Sequence, residues 1–189
     1  MVEVVLSERY VNSDILKRYM AQLSKTGSQL NRSTPLFRKN NGGRMKPNVL
    51  SADYIVGLTD GEGSFTVYLE PPNPKYHSVN YRVQCRYYIK MREDELPLLE
   101  KVRNFWGCGK IYFQREYRKN QRDNYRFEIF NYDLLNRIVV PFFKAYPLQS
   151  KRIKDFELFC QILDLATKKA HHTVKGVQKI KKLKEQMHA

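Results

Sequence analysis

Two carboxylates, Asp60 and Glu62, sit among glycines in the run Thr59-Asp60-Gly61-Glu62-Gly63, directly after the apolar stretch Tyr54-Ile55-Val56-Gly57-Leu58. The apolar stretch reads as a helix that breaks at the Gly-acid-Gly turn. The C-terminal end of a helix already carries partial negative charge, so two acids placed there call for a neighbouring cation. A divalent metal is the cation that would bring chemistry with it. After Gly63 the period changes: Ser64, Thr66, Tyr68 and Glu70 alternate with Phe65, Val67 and Leu69, the two-residue repeat of a half-buried strand. The residues best suited to chemistry therefore lie where an apolar helix hands over to a sheet.

The same alternation recurs downstream. Tyr81, Val83, Cys85, Tyr87, Ile89 and Met91 form one side of a strand, and Arg82, Gln84, Arg86, Tyr88 and Lys90 form the other. Glu93 to Trp106 shows helical spacing and is stopped by Gly107-Cys108-Gly109. Lys110 to Glu116 alternates again, with Ile111 and Phe113 expected inward and Lys110, Tyr112 and Gln114 outward. In the next strand Tyr125, Phe127 and Ile129 face the core and Asn124, Arg126 and Glu128 face out. Tyr132 to Phe143 and Lys151 to Ala166 are expected to be helical. The order is helix, two strands, helix, two strands, helices.

Net charge is +15, from 34 Lys and Arg against 19 Asp and Glu, which makes a polyanion the default partner. The charge is uneven. Residues 1–48 hold nine Lys and Arg against three acids and are rich in Ser, Asn and Gly toward their end, as expected of a partly flexible basic extension with one short helix from Ser13 to Leu23. Residues 49–166 carry the apolar periodicity of a folded domain. Residues 167–189 hold seven lysines against Glu185 alone, with Val174, Val177, Ile180 and Leu183 at the spacing of a basic amphipathic helix. No run approaches eighteen consecutive apolar residues, so a transmembrane helix is not expected. Cys85, Cys108 and Cys160 are far apart with no CxxC pair, which argues against a disulfide scaffold or a thiolate zinc site and suits a reducing compartment. The first residues lack a basic stretch followed by an apolar run, so a secretory signal is not expected either.

The run Ile55-Val56-Gly57-Leu58-Thr59-Asp60-Gly61-Glu62-Gly63 resembles the signature of the LAGLIDADG homing endonucleases, with Gly57, Asp60, Gly61 and Gly63 at matching places and Glu62 standing for the second Asp. The element order over residues 49–165 is similar to that family, as are the stretches from Leu98-Leu99-Glu100 through Gly109-Lys110-Ile111 and Tyr146-Pro147-Leu148-Gln149-Ser150-Lys151. The resemblance implies an α+β domain of αββαββα order, with a curved antiparallel sheet as a DNA-binding saddle. One copy of the motif implies a homodimer in which Tyr54, Gly57, Leu58 and Gly61 meet their counterparts, and a two-fold dimer implies a near-palindromic DNA site.

The resemblance further implies that Glu62 holds a divalent metal, assisted by the Gly61 carbonyl, with Asp60 ranked below it and Lys151 as the basic residue of the active site. Mg²⁺ or Mn²⁺ is the expected ion, with Ca²⁺ as a non-catalytic substitute. A polar residue that orders water usually ends the second strand; Lys90, Met91 and Arg92 occupy that place here. The DNA-reading face would carry Ser64, Thr66, Tyr68, Arg82, Gln84, Arg86, Tyr88, Lys90, Lys110, Tyr112, Gln114, Asn124, Arg126 and Glu128, because a β-ribbon fits the major groove and Arg, Lys and Gln read its base edges. The implied activity is metal-dependent double-strand cutting at a long site by an intron-encoded enzyme. An RNA maturase gripping intron RNA and a non-catalytic DNA-binding regulator are the alternatives on the same fold. An intracellular site, in a prokaryotic cytoplasm or an organelle, with no membrane partner, is expected.

Overall fold

The computed structural model describes residues 50–73, 75, 79–118 and 121–187; the helix expected at Ser13–Leu23 and the rest of 1–48 lie outside the described residues. Helix α1 spans Ala52–Glu62, opened by Ser51, whose hydroxyl accepts the Tyr54 N–H at 3.1 Å. Strand β1, Gly63–Glu70, follows with no loop. Gly63 makes that junction possible: its N–H returns to the Thr59 carbonyl, and a Cβ there would stand 2.7 Å from Thr59 Cγ2 and 2.8 Å from its Cα. Strand β2 is Arg82–Arg92, α2 is Leu96–Trp106, β3 is Lys110–Gln114 and β4 is Asn124–Ile129. The strands form one open sheet in the order β1-β2-β4-β3, with every neighbouring pair antiparallel. The expected α+β order, αββαββα, is the order observed.

Val83, Cys85, Tyr87 and Ile89 of β2 and Phe65 and Val67 of β1 are buried on one face, as the alternation requires. The Phe65 ring lies 5.1 to 5.4 Å from those of Tyr87, Phe143, Phe156 and Phe159, so a single aromatic cluster joins the sheet to the helices after it. The Tyr87 hydroxyl is fully buried and shares a hydrogen bond of 2.9 Å with Thr59 Oγ1 of α1. That bond fixes the end of α1 against the centre of the sheet, where leaving either group unpaired would be costly.

Several local expectations differ from the structure. The helix expected from Glu93 begins as a 3-10 turn, Glu93–Glu95, before α2 starts with Pro97 in its first turn. The helix expected over Tyr132–Phe143 is divided into α3, Tyr132–Leu134, a π-helical turn, Leu135–Val139, and α4, Val140–Ala145. Pro141 lacks an N–H for the carbonyl four residues back and its ring crowds that carbonyl, which accounts for the wider turn before it. Phe113 lies on the core face with Ile111, as expected, but is 53% exposed because β3 is the sheet edge; its ring meets that of Tyr125 at 5.3 Å. Helix α5 is Arg152–Thr167 and α6 is Val174–Lys184. In the tail, where a basic amphipathic helix was expected, α6 packs on α5, and Ile180 and Met187 join the main core, while Val174 is exposed.

Burial pushes the Cys85 thiol up to about 12 and those of Cys108 and Cys160 up to about 11, so all three stay protonated near neutrality and behave as small apolar groups. Among the described residues no helix is long and apolar enough to cross a membrane.

Candidate active site and nucleic-acid face

The C-terminal end of α1 faces the N-terminal end of α5, and Asp60 links them. Its Oδ2 accepts the Gln149 N–H at 2.8 Å; its Oδ1 accepts the Ser150 N–H at 3.2 Å and the Ser150 hydroxyl at 2.7 Å. Arg152, the first residue of α5, donates from Nε to the Asp60 carbonyl at 2.9 Å and from Nη2 to the Gly61 carbonyl at 3.0 Å. The negative end of one helix is thereby met by backbone N–H groups and a guanidinium at the start of another. Asp60, expected among the catalytic acids, has both oxygens engaged within the chain, which makes it a tether. The cation called for by the sequence is, in part, Arg152.

Glu62 is different. It is exposed and has no hydrogen-bond or ion-pair partner among the described residues. It borders an open cleft of about 650 Å³ that is also lined by Gly63, Ser64, Tyr88, Lys90, Met91, Arg92, Glu95, Asn124 and Arg152. All three candidates at the end of β2 reach this cleft. Lys90 is the one set beside Glu62, since the β1–β2 ladder ends with Gly63 opposite Ile89. Lys151 does not line the cleft; it is exposed at the residue before α5. Sequence reasoning missed Arg152. Its signal was present, a second basic residue beside Lys151, but which of two adjacent residues turns toward the end of α1 depends on where the helix starts.

Among the described residues no three His, Cys, Asp or Glu gather into one site, so a closed all-protein cage is absent there. One free carboxylate beside a backbone carbonyl that keeps one lone pair suits a hard ion sharing its shell with water and phosphate oxygens. It does not suit a structural zinc.

Every residue expected to read DNA falls on the face of the sheet opposite the core. The register sets them in rows: Ser64, Tyr88, Glu128 and Lys110; Lys90, Arg126 and Tyr112; Arg92, Asn124 and Gln114; and, toward the other end, Thr66 with Arg86, Tyr68 with Gln84 and Glu70 with Arg82. Glu128 departs from its expected role. It lies on this face but is only 2% exposed, beneath Arg86 and Arg126, so it cannot itself touch a base edge.

A family model described as LAGLIDADG endonuclease matches residues 55–163, more than half of the chain. The chain belongs to the LAGLIDADG endonuclease family. It is 32% identical over 132 residues to "Probable intron-encoded endonuclease 2" of Neurospora crassa, a match covering 69% of this chain and 28% of that protein. Among solved structures, the homing endonuclease I-TnaI superposes with a TM-score of 0.63 at 32% identity, covering 75% of this chain and 90% of that one. I-SmaMI, solved bound to uncleaved DNA target in the presence of calcium ions, gives a TM-score of 0.64 at 31% identity over 74% of this chain and 45% of that one. The chain thus spans under a third of the curated relative and under half of I-SmaMI. The LAGLIDADG model begins at Ile55, inside α1, so the motif helix is α1.

On that helix Tyr54 is 44% exposed and Leu58 half-buried, and Gly57 and Gly61 are exposed. A Cβ at Gly57 or Gly61 would meet nothing within 4 Å. This chain's own packing therefore does not need glycine at either position. Two exposed glycines one turn apart weaken an isolated helix, so their use points outside the described chain.

Proposed function

We propose that this LAGLIDADG protein is a site-specific homing endonuclease, encoded within an intron, that makes metal-dependent double-strand breaks in a long, near-palindromic DNA site. One observation carries the reading: Glu62, a carboxylate without a partner among the described residues, borders an open cleft continuous with the polar face of the sheet. Relatives named as intron-encoded endonucleases, and I-SmaMI with DNA bound, support it. They give no support to an RNA maturase. The α1 helix is proposed to pack on that of a second copy, bringing two Glu62 carboxylates to the dyad. The protein would act in whichever compartment houses its intron, a prokaryotic cytoplasm or an organelle.

In this scheme Glu62, with the free lone pair of the Gly61 carbonyl, would hold a Mg²⁺ or Mn²⁺ ion. Such an ion supplies an acidified water and offsets charge on the attacking and leaving oxygens. Arg152 fixes the two carbonyls that close α1 and sets a positive charge at the cleft wall. Lys90 and Arg92 also line the cleft, where their charges would stabilise negative charge building on the phosphate. Asp60 keeps the ends of α1 and α5 together, so that the acid and the guanidinium approach from fixed directions. The lysines of the tail and the basic residues of 1–48 add phosphate contacts without sequence information.

Purified protein incubated with Mg²⁺ and duplex DNA spanning the intronless insertion site is expected to cut both strands, and EDTA to stop it. Binding without cutting under Mg²⁺ would favour a regulator instead. Arg152→Ala is expected to slow cutting by about 10²-fold, in line with loss of one preorganised charge donor, while Lys151→Ala has a smaller effect. The reverse ranking in single-turnover assays would return the basic role to Lys151.

A further inference from the structure

Glu128 is the least exposed charged residue on the sheet's outer face, and its surroundings are unusual. Its Oε1 accepts from Arg86 Nη1 at 2.8 Å, and its Oε2 stands 3.1 Å from Arg126 Nε without a hydrogen bond between them. Arg86 also donates from Nη2 to Gln84 Oε1, and its guanidinium lies 5.1 Å from the centre of the Tyr68 ring. The Arg126 guanidinium lies 5.2 Å from the centre of the Tyr88 ring. Each arginine is thus held between one shared buried acid and one tyrosine face. Arg86 and Arg126 keep 27% and 21% of their side chains exposed above it.

A carboxylate buried under the surface proposed to meet a polyanion works against simple attraction, because it cancels charge where phosphates would approach. It also leaves Arg86 Nε, Arg126 Nε and its own Oε2 buried without hydrogen bonds, a half-satisfied network that an apolar core would avoid. What it provides is orientation. An arginine reads guanine through two parallel N–H groups, which demands a fixed planar fork, whereas an unheld arginine swings to the nearest phosphate.

We propose that Glu128 is a positioning residue for specificity, holding Arg86 and Arg126 as two guanine readers and withholding them from phosphates. The inference rests on the DNA-binding reading above. It assigns guanine as the base class at two positions in each half-site, and it casts an acid as the source of sequence preference.

The test is selection of bound duplexes from a pool of random-sequence DNA, with Ca²⁺ in place of Mg²⁺, followed by measurement of affinity against salt. Wild type is expected to enrich a sequence containing guanine at two positions per half-site. Glu128→Gln is expected to lose about tenfold discrimination at those positions, to keep its preferences elsewhere, and to show a salt slope steeper by about one unit. Arg86→Lys keeps the charge but not the fork; it is expected to lose one guanine with its salt slope unchanged. This second variant decides the matter if Glu128→Gln does not fold. Retention of every guanine preference in the folded variants would overturn the role of Glu128, since a merely structural acid would alter stability and leave both readouts unmoved. Failure of wild type to enrich any sequence would instead overturn the DNA reading beneath it.

Discussion

Glu62→Gln is expected to lower double-strand cutting by about 10³-fold or more while DNA binding survives. The magnitude follows from the proposed position of this carboxylate as the main protein ligand of the ion: loss of groups that merely orient metal ligands already costs about 10- to 100-fold. Survival of binding follows from geometry, because the rows of the reading face lie on the sheet and Glu62 ends the helix beside it. Glutamine keeps the shape and the acceptor oxygen and removes the charge a hard cation needs. Plasmid cleavage under Mg²⁺ beside a gel-shift titration gives both readouts. Cutting by the variant at the wild-type rate would remove Glu62 from the metal site and turn attention to Glu95, the other acid lining the cleft.

Gly57→Leu is expected to abolish the proposed dimer without unfolding the chain. The side chain enters open space in the single chain, where a Cβ meets nothing within 4 Å, and leucine favours a helix over glycine by up to about 1 kcal/mol. The monomer is therefore expected to gain thermal stability. At a close helix–helix crossing the same leucine would overpack by about 1–3 kcal/mol for each copy, raising the dimer dissociation constant by roughly 30- to 10⁴-fold. Opposite signs for monomer stability and assembly form the diagnostic, read by thermal unfolding and by mass in solution. A dimeric, fully active Gly57→Leu protein would show that α1 is not the crossing helix. By contrast Gly63 is required by the chain itself, since any side chain there would strike Thr59.

The junction of α1 with α5 shows how a local charge problem is solved by tertiary structure. Two acids at a helix end were ranked in the sequence, Glu62 above Asp60, only through the family resemblance. The fold gives one of them, Asp60, to the N–H groups of Gln149 and Ser150, some ninety residues away in the chain, and leaves the other to the cleft. The division suits a site whose metal is shared with substrate: one carboxylate builds the wall and the other stays available.

Much of this protein was legible from the sequence because its signals are periodic and local. Alternation at Tyr81 to Met91 determined which side chains enter the core, since a strand offers only two faces, and the Gly-acid-Gly turn marked where helix gives way to sheet. The family followed from the same run. What the sequence did not contain was anything set by partners distant in the chain. It did not give Asp60 its partners, show that Arg152 and not Lys151 reaches the carbonyls closing α1, or show that Glu128 lies under two arginines, because each outcome depends on which strands and helix ends become neighbours. The exposure of Phe113 was missed for a related reason: alternation gives a face, but only the strand order makes β3 an edge. Residue types and spacing determined the chemistry on offer; the packing of α1, β2, β4 and α5 decided which side chains remain free to perform it.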